Sequence, residues 1–393
     1  MLIVAALLLA HRSVFEVGPD KVYSRIETAM EAAQAGDEIH IYPSPDHYKG
    51  TALYVTKKRL RIVGEPGVKI DGSDFDYSGI GHVPRAIIQV NPGADYVSIE
   101  NLELYGAHNN SHNGSGVRIQ SANYCSVRNC NIHNNDMGIM SSGTPGDPTA
   151  ASNQWIDHCE IFKNGDFADP GYNHNLYLGG TSVTVQFCNI HDSLTGHNLK
   201  SRAHYVRVEN CCIHDSSNRE LDFVESWDTT RPHSNVLLLG NVIRKSPDAK
   251  GNRTVIHFGQ EKAERDGRIF LINNDISTPF ISPVLELTGS MTSARFFNNV
   301  IENAGQAHPV LVGAENGAAL TSVAGNTNVL SANYDVGGTH LDSKSVHIDR
   351  QVQPTMAQYI DGSGLRQSAK PTHRFDPKSK SWHPTSDRFM GAG

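Results

Sequence analysis

A short phrase recurs through the middle of the chain: RNCNIHNND at Arg128–Asp136, DHCEIFKNG at Asp157–Gly165, QFCNIHDSL at Gln186–Leu194 and ENCCIHDSS at Glu209–Ser217. Aligned, the phrases put Ile132, Ile161, Ile190 and Ile213 in one column and Cys130, Cys159, Cys188 and Cys211 in another, two residues earlier. Shorter copies follow at Gly240–Ile243, Asn273–Ile276 and Asn298–Ile301, so successive isoleucines lie 29, 29, 23, 30, 33 and 25 residues apart. A unit of that length cannot bury its own apolar face and has to stack on its neighbours, which predicts a solenoid whose corners accept insertions.

Strand character decides which solenoid. Runs such as Tyr96–Leu104, Ser182–Ile190 and Tyr205–Ile213 are β-rich and broken by Gly, Asn, Asp and Ser, without the three-and-four spacing of helices. Regular hairpin turns, which a propeller or sandwich needs, are missing. The expectation is an all-β chain: a single-stranded right-handed parallel β-helix over residues 15–337. The cysteine column reads as small buried hydrophobes, because no CxxC pair exists. The chain has 393 residues and a net charge of −7, with no Lys/Arg block, which argues against nucleic acid as a partner and suits one elongated, monomeric domain.

The ends differ from the middle. Leu2–Ala10 is an apolar run of signal-peptide length, too short to span a bilayer, so residues 1–14 read as a secretory signal, the protein as secreted or periplasmic, and no integral membrane segment is expected. Ser24–Gln34 has the pattern of a short amphipathic helix with Ser24 as N-cap, suited to covering the open first coil. Residues 338–393 lose the repeat, and from Asp361 onward they are rich in Ser, Pro, Gly and Lys, which predicts an extension packing on the solenoid or trailing from it rather than another coil.

A second strand in each coil carries the chemistry. Lining up Gly116–Ile119, Gly138–Met140, Asn175–Leu178, Asn198–Ser201, Glu220–Phe223, Val255–Phe258 and Val284–Leu287 turns Val117, Ile139, Leu176, Leu199, Leu221, Ile256 and Leu285 inward. Facing outward are then Arg118, Met140, Tyr177, Lys200, Asp222, His257 and Glu286, beside a second outward column of Asn175, Asn198 and Glu220. His174, His197 and Arg219 stand at the adjoining corner. A mixed charged row is often no more than a solvated sheet face. The planar donors Asn, His and Tyr, and a lysine one coil from Arg219, Glu220 and Asp222, favour a ligand site. His133, His191 and His214 form a separate column, read as corner residues satisfying backbone groups.

The opening VGPDKVYSRIETAMEAAQAGDEIHIYP, the coil repeats, and the motifs GYNHNLYLGGT and TGHNLKSRA give the stretch from Phe15 to Asn328 a resemblance to the right-handed β-helix proteins of the pectate-lyase-like superfamily. Within it, KS on one coil and NRELD on the next resemble chondroitinase B and the related alginate lyases. That resemblance implies an acidic polysaccharide substrate, Lys200 as base and Arg219 as its partner. It also implies calcium, although the stretch His191–Asn198 offers only Asp192 as an acid ahead of the lysine, so the metal stays unassigned. The carboxylate-neutralising role then falls to Asn175, Asn198, His197 or Arg202, and Tyr177 or His197 serves as a further acid or base. β-Elimination needs these types: a group to neutralise the uronate carboxylate, a base at C5 and a proton for the leaving oxygen.

Other readings compete. Glu220 and Asp222, two apart on one strand, match the carboxyl spacing of an inverting glycosidase. A C5-epimerase needs nearly the same residues as a lyase. A non-catalytic carbohydrate-binding solenoid would expose aromatic platforms, yet there are only 3 Trp, of which Trp155 and Trp227 fall beside the expected site.

Overall fold

The computed structural model describes residues 12–331, 333–345, 356–386 and 391–392. The apolar run Leu2–Ala10 lies outside the described residues. Strand follows strand in parallel around a solenoid: one face is a ten-stranded sheet from Leu53–Val55 to Val312–Glu315, and the other faces join in a 22-stranded sheet. Every pairing within both sheets is parallel, and the coil is right-handed, the sense that parallel crossovers take.

The repeated phrase builds one corner. Ile132, Ile161, Ile190 and Ile213 pair in register and are fully buried. The residue before each cysteine or its replacement, such as Asn129, His158, Phe187, Asn210 and Asn273, adopts a left-handed backbone, which turns the chain from one face to the next. Cys130, Cys159, Cys188 and Cys211 stack as free, buried thiols. Their column continues as Asn241, Asn274, Asn299 and Asn328, in which each amide donates to the next Oδ1 at 2.9, 3.0 and 2.8 Å.

The first coil is covered by a helix at Ile26–Ala32, whose Ile26, Ala29 and Met30 are buried against the first strands. It is shorter than Ser24–Gln34, and its N-cap is Arg25, with no side-chain cap; Thr28 Oγ1 instead donates to the Arg25 carbonyl at 2.8 Å. At the other end, the parallel pairing runs on to His340–Ser345, past the point where the repeat fades, with a register shift between Gly325 and Asn328. The extension then forms two antiparallel hairpins, Ala357–Ile360 with Arg366–Ala369 and His373–Asp376 with Ser381–Pro384. They lie on the solenoid's outer surface: Ala357, Tyr359 and Ala369 cover Leu237, Leu239, Phe270 and Ile272, and Phe375 covers Val242.

His133, His191 and His214 do not serve backbone groups at a corner. They project outward from strands and stack with Tyr105 and Phe162 in one ring ladder at 4.9–5.5 Å, their nitrogens facing Glu103, Glu160, Asp192 and Asp215. Trp155 is likewise not beside the ten-stranded face: it pairs with Ser126 and Thr184 on the other sheet. No helix among the described residues is long and apolar enough to cross a membrane.

Candidate active site

Strand register on the ten-stranded sheet puts Gln89, Arg118, Met140, Tyr177, Lys200, Asp222, His257 and Glu286 in one row, one residue per coil. The alternating residues Val117, Ile139, Leu176, Leu199, Leu221, Ile256 and Leu285 are fully buried beneath it. Period-two alternation therefore orients this row, because short strands with a packed aliphatic under-face leave one way for the intervening side chain to point.

Asp222 is the hub. Its carboxylate lies 2.7 Å from His257 Nδ1, 3.4 Å from His197 Nε2, 3.3 Å from Lys200 Nζ and 3.5 Å from Arg219 Nη1. Burial alone would raise the carboxyl, but its contacts with His197 and His257 and the charge of Lys200 outweigh it and hold Asp222 well below its usual range. Lys200 also reaches Glu261 at 3.3 Å, and Arg219 reaches Glu286 at 2.6 Å. Arg202 spans the upper edge, donating to the Tyr177 hydroxyl at 2.9 Å and pairing with Glu261. His197, Lys200, Arg219, Asp222, His257 and Glu261 line an open cleft of about 370 Å³ together with Pro170, Tyr172 and Asn252, while Tyr177, Arg202 and Glu286 stand outside its lining.

Four residues expected to face a ligand do not. Asn175, Asn198 and Glu220 are fully buried, and His174 is 2 % exposed. The three former sit one position before their strands, where the chain is still leaving the corner, so their side chains aim into it. They form a relay with Asn135 and Asn164: Asn164 Nδ2 donates to Asn175 at 2.9 Å, Asn175 to Asn198 at 2.8 Å, and Asn198 to Glu220 at 2.6 Å. Glu220 ends against Lys245 Nζ at 3.6 Å, neither side chain touching water. Burial pushes the Glu220 carboxyl up and the Lys245 ammonium down. The Glu220/Asp222 pair is thus unavailable as two hydrolytic carboxyls: one of them is sealed in the corner.

His174 works from the same layer. Its ring stacks on His197 at 4.9 Å and its Nδ1 accepts the His197 backbone N–H at 3.0 Å. Gly196 makes this contact feasible, since a Cβ there would fall 1.7 Å from the Asn173 carbonyl oxygen. Burial keeps both rings neutral, lowering His174 well below the usual value and His197 to about 4. His197 Nδ1 is buried with no partner among the described residues.

Tyr172 belongs to the insertion Asp166–Tyr172, whose length alone suggests a groove wall, whereas Glu261, Lys245 and Glu225 carry no such signal. Glu225 accepts the backbone N–H groups of Glu261 and Lys262 and so fixes the loop that carries Glu261. Glu261, Lys245 and Glu225 lie outside the aligned strands, and only the acid cluster EKAE at 261–264 hints at one of them. Asp192 faces His191 Nδ1 at 2.8 Å and does not line the cleft. Among the described residues no group of three or more His, Cys, Asp or Glu is arranged to hold a metal ion, so the side chains do not fit the implied calcium site.

Residues 86–247 match the family model described as a right handed beta helix region. No curated protein matches the chain. Among solved structures, the chain is similar to pectate lyase Pel9A, with a TM-score of 0.54 at 14 % identity over 98 % of this chain and 96 % of that one. It is also similar to an alginate lyase from Paenibacillus sp. str. FPU-7, with a TM-score of 0.49 at 14 % identity over 79 % and 99 %. A pectin methylesterase from Aspergillus niger follows with a TM-score of 0.35 at 11 % identity over 87 % and 94 %. At 14 % identity the likeness to Pel9A is one of fold.

Proposed function

We propose that this right-handed parallel β-helix is a secreted or periplasmic polysaccharide lyase that cleaves a uronate-containing polymer by β-elimination. The observation carrying the reading is the meeting of Lys200, Arg219, His197 and His257 around one carboxylate on the open face of the sheet. Lys200 and Arg219 in a partly water-excluded cleft suit a polyanion, and the fold is one on which pectate lyase activity is carried.

In this reading Arg219, with Arg202 above it, neutralises the uronate carboxylate and so stabilises the charge that develops when C5 loses its proton. Lys200, in its amine form, takes that proton. The electron pair closes a C4–C5 double bond, the C4–O bond breaks, and the leaving oxygen takes a proton from the Tyr177 hydroxyl, one coil along the row from Lys200. Asp222 positions Lys200, Arg219 and His197 rather than reacting. No step passes through a metal.

One observation favours His197 as the base instead: it lines the cleft and its imidazole is neutral above about pH 4. The rate profile separates the two. A lysine base gives a rate that climbs on the alkaline side, whereas a His197 base gives one already level at neutral pH.

The test is incubation with polygalacturonate, alginate and chondroitin sulfate, recording ultraviolet absorbance of unsaturated ends beside total reducing ends. Both should rise together on one polymer and vanish in Lys200→Ala with the fold unchanged by circular dichroism. Reducing ends without absorbance would establish hydrolysis and sink the lyase reading.

A further inference from the structure

Three coils before Lys200 the row carries a second cation, Arg118, reached through Tyr177 and Met140. It is half-buried; Nη1 donates to the Met140 sulfur at 3.4 Å, and Nε is shielded and has no partner among the described residues. Among the described residues neither Arg118 nor its neighbour Arg85 has an ion pair with a carboxylate, unlike Arg202 and Arg219. Arg85 is held in place: its backbone N–H donates to Gln89 Oε1 at 2.8 Å and its Nε to the Ser78 carbonyl at 3.2 Å. Burial, and then the charge of Arg85, lower Arg118 from its ordinary value, the mark of a guanidinium short of counter-charge. A partly desolvated cation beside a like charge is costly unless an anion completes it.

The opposite direction along the row has the other sign. Past His257 comes Glu286, already paired to Arg219. A polyanion extending from Lys200 therefore meets cations on the N-terminal side and a carboxylate on the C-terminal side.

We infer that Arg118, with Arg85, is a distal seat for a sugar carboxylate, and that the bound chain runs from Lys200 toward the N-terminal coils. This rests on the uronate-polymer reading above. Coils repeat at roughly 4.8 Å, about the length of one pyranose in an extended chain, so Arg118 lies roughly 14 Å from Lys200 and meets the sugar three residues along. Tyr177 and Met140 supply the ring-sized platforms between.

The experiment measures binding of galacturonate and mannuronate disaccharides and hexasaccharides by titration calorimetry, in a Lys200→Ala background that leaves the chain uncut, with cellohexaose as the neutral control. Adding Arg118→Ala should weaken the hexasaccharide roughly tenfold or more and leave the disaccharide unchanged, with Arg118→Lys recovering part of the loss. An equal effect on both lengths, or none on the hexasaccharide, would overturn the seat. Length-dependent loss in a protein whose wild type yields no unsaturated ends would keep the seat and sink the lyase. A wild type that binds no uronate oligomer overturns both.

Discussion

Glu220 and Lys245 are a charge pair sealed from water in a corner directly behind the cleft. Glu220 accepts the Ser216 backbone N–H at 3.1 Å, and Lys245 donates to the carbonyls of Ser216 and Asn218, so together they clamp the turn that delivers Arg219. Removing one partner strands the other, which costs about 3–5 kcal/mol for a buried pair, whereas removing both charges costs far less. Lys245→Met should therefore lower urea stability by about that amount, and the double change Glu220→Gln with Lys245→Met should recover much of it. Additive losses would show that the pair does not act as a unit. Alternation identified Asp222 correctly and misassigned Glu220 for one reason: the rule holds inside Leu221–Phe223 and fails one residue before it, where the chain is still turning. Asn175 and Asn198 were misplaced in the same way, and nothing in residue type distinguishes a buried relay asparagine from an exposed one.

The corner ladder shows what is legible at the scale of an element. The thiol column was visible because the phrase around it recurs nearly unchanged, while its continuation as Asn241, Asn274, Asn299 and Asn328 was obscured by shorter, drifting copies. Both halves fill one place with different physics. A thiol there is a small apolar group, whereas Asn274 donates to the Leu238 carbonyl at 3.0 Å and accepts from Asn241. Asn274→Ala should accordingly cost about 1–3 kcal/mol for each buried group it strands, and Cys188→Ala about 1 kcal/mol, read from chemical denaturation of each variant. A costlier cysteine change would mean that the thiols hold the corner by more than packing. The loop carrying Glu261 was unreadable for the opposite reason: its place is set by Glu225 on the preceding coil, a contact with no local signature.

For the molecule as a whole, acid should act through buried neutral histidines. Burial lowers His174 well below its ordinary value and brings His197 and His204 to about 4, while an unfolded histidine titrates near 6.5. Between those limits the unfolded chain binds protons that the folded one refuses, so this contribution is complete above about pH 6.5 and is lost as the pH falls toward 4. Each histidine adds at most about 1.4 kcal/mol per pH unit in that window. His108, raised by its hydrogen bond to Asp136, opposes the trend, but its side chain is largely exposed and its share is smaller. His204 also ties the C-terminal extension to the solenoid, through Nε2 and the Gly362 carbonyl at 3.1 Å, beside the Asn235 contact to Ile360. Its protonation sets a charge beneath the turn that joins the first hairpin, whose strands shield Leu237 and Phe270. The melting temperature should fall steadily from pH 7 to 4.5, and His204→Gln, which keeps a donor for Gly362 but cannot titrate, should reduce that slope by roughly a third. An unchanged slope in His204→Gln would remove His204 from the acid response and leave the loss to the stacked rings of His174 and His197.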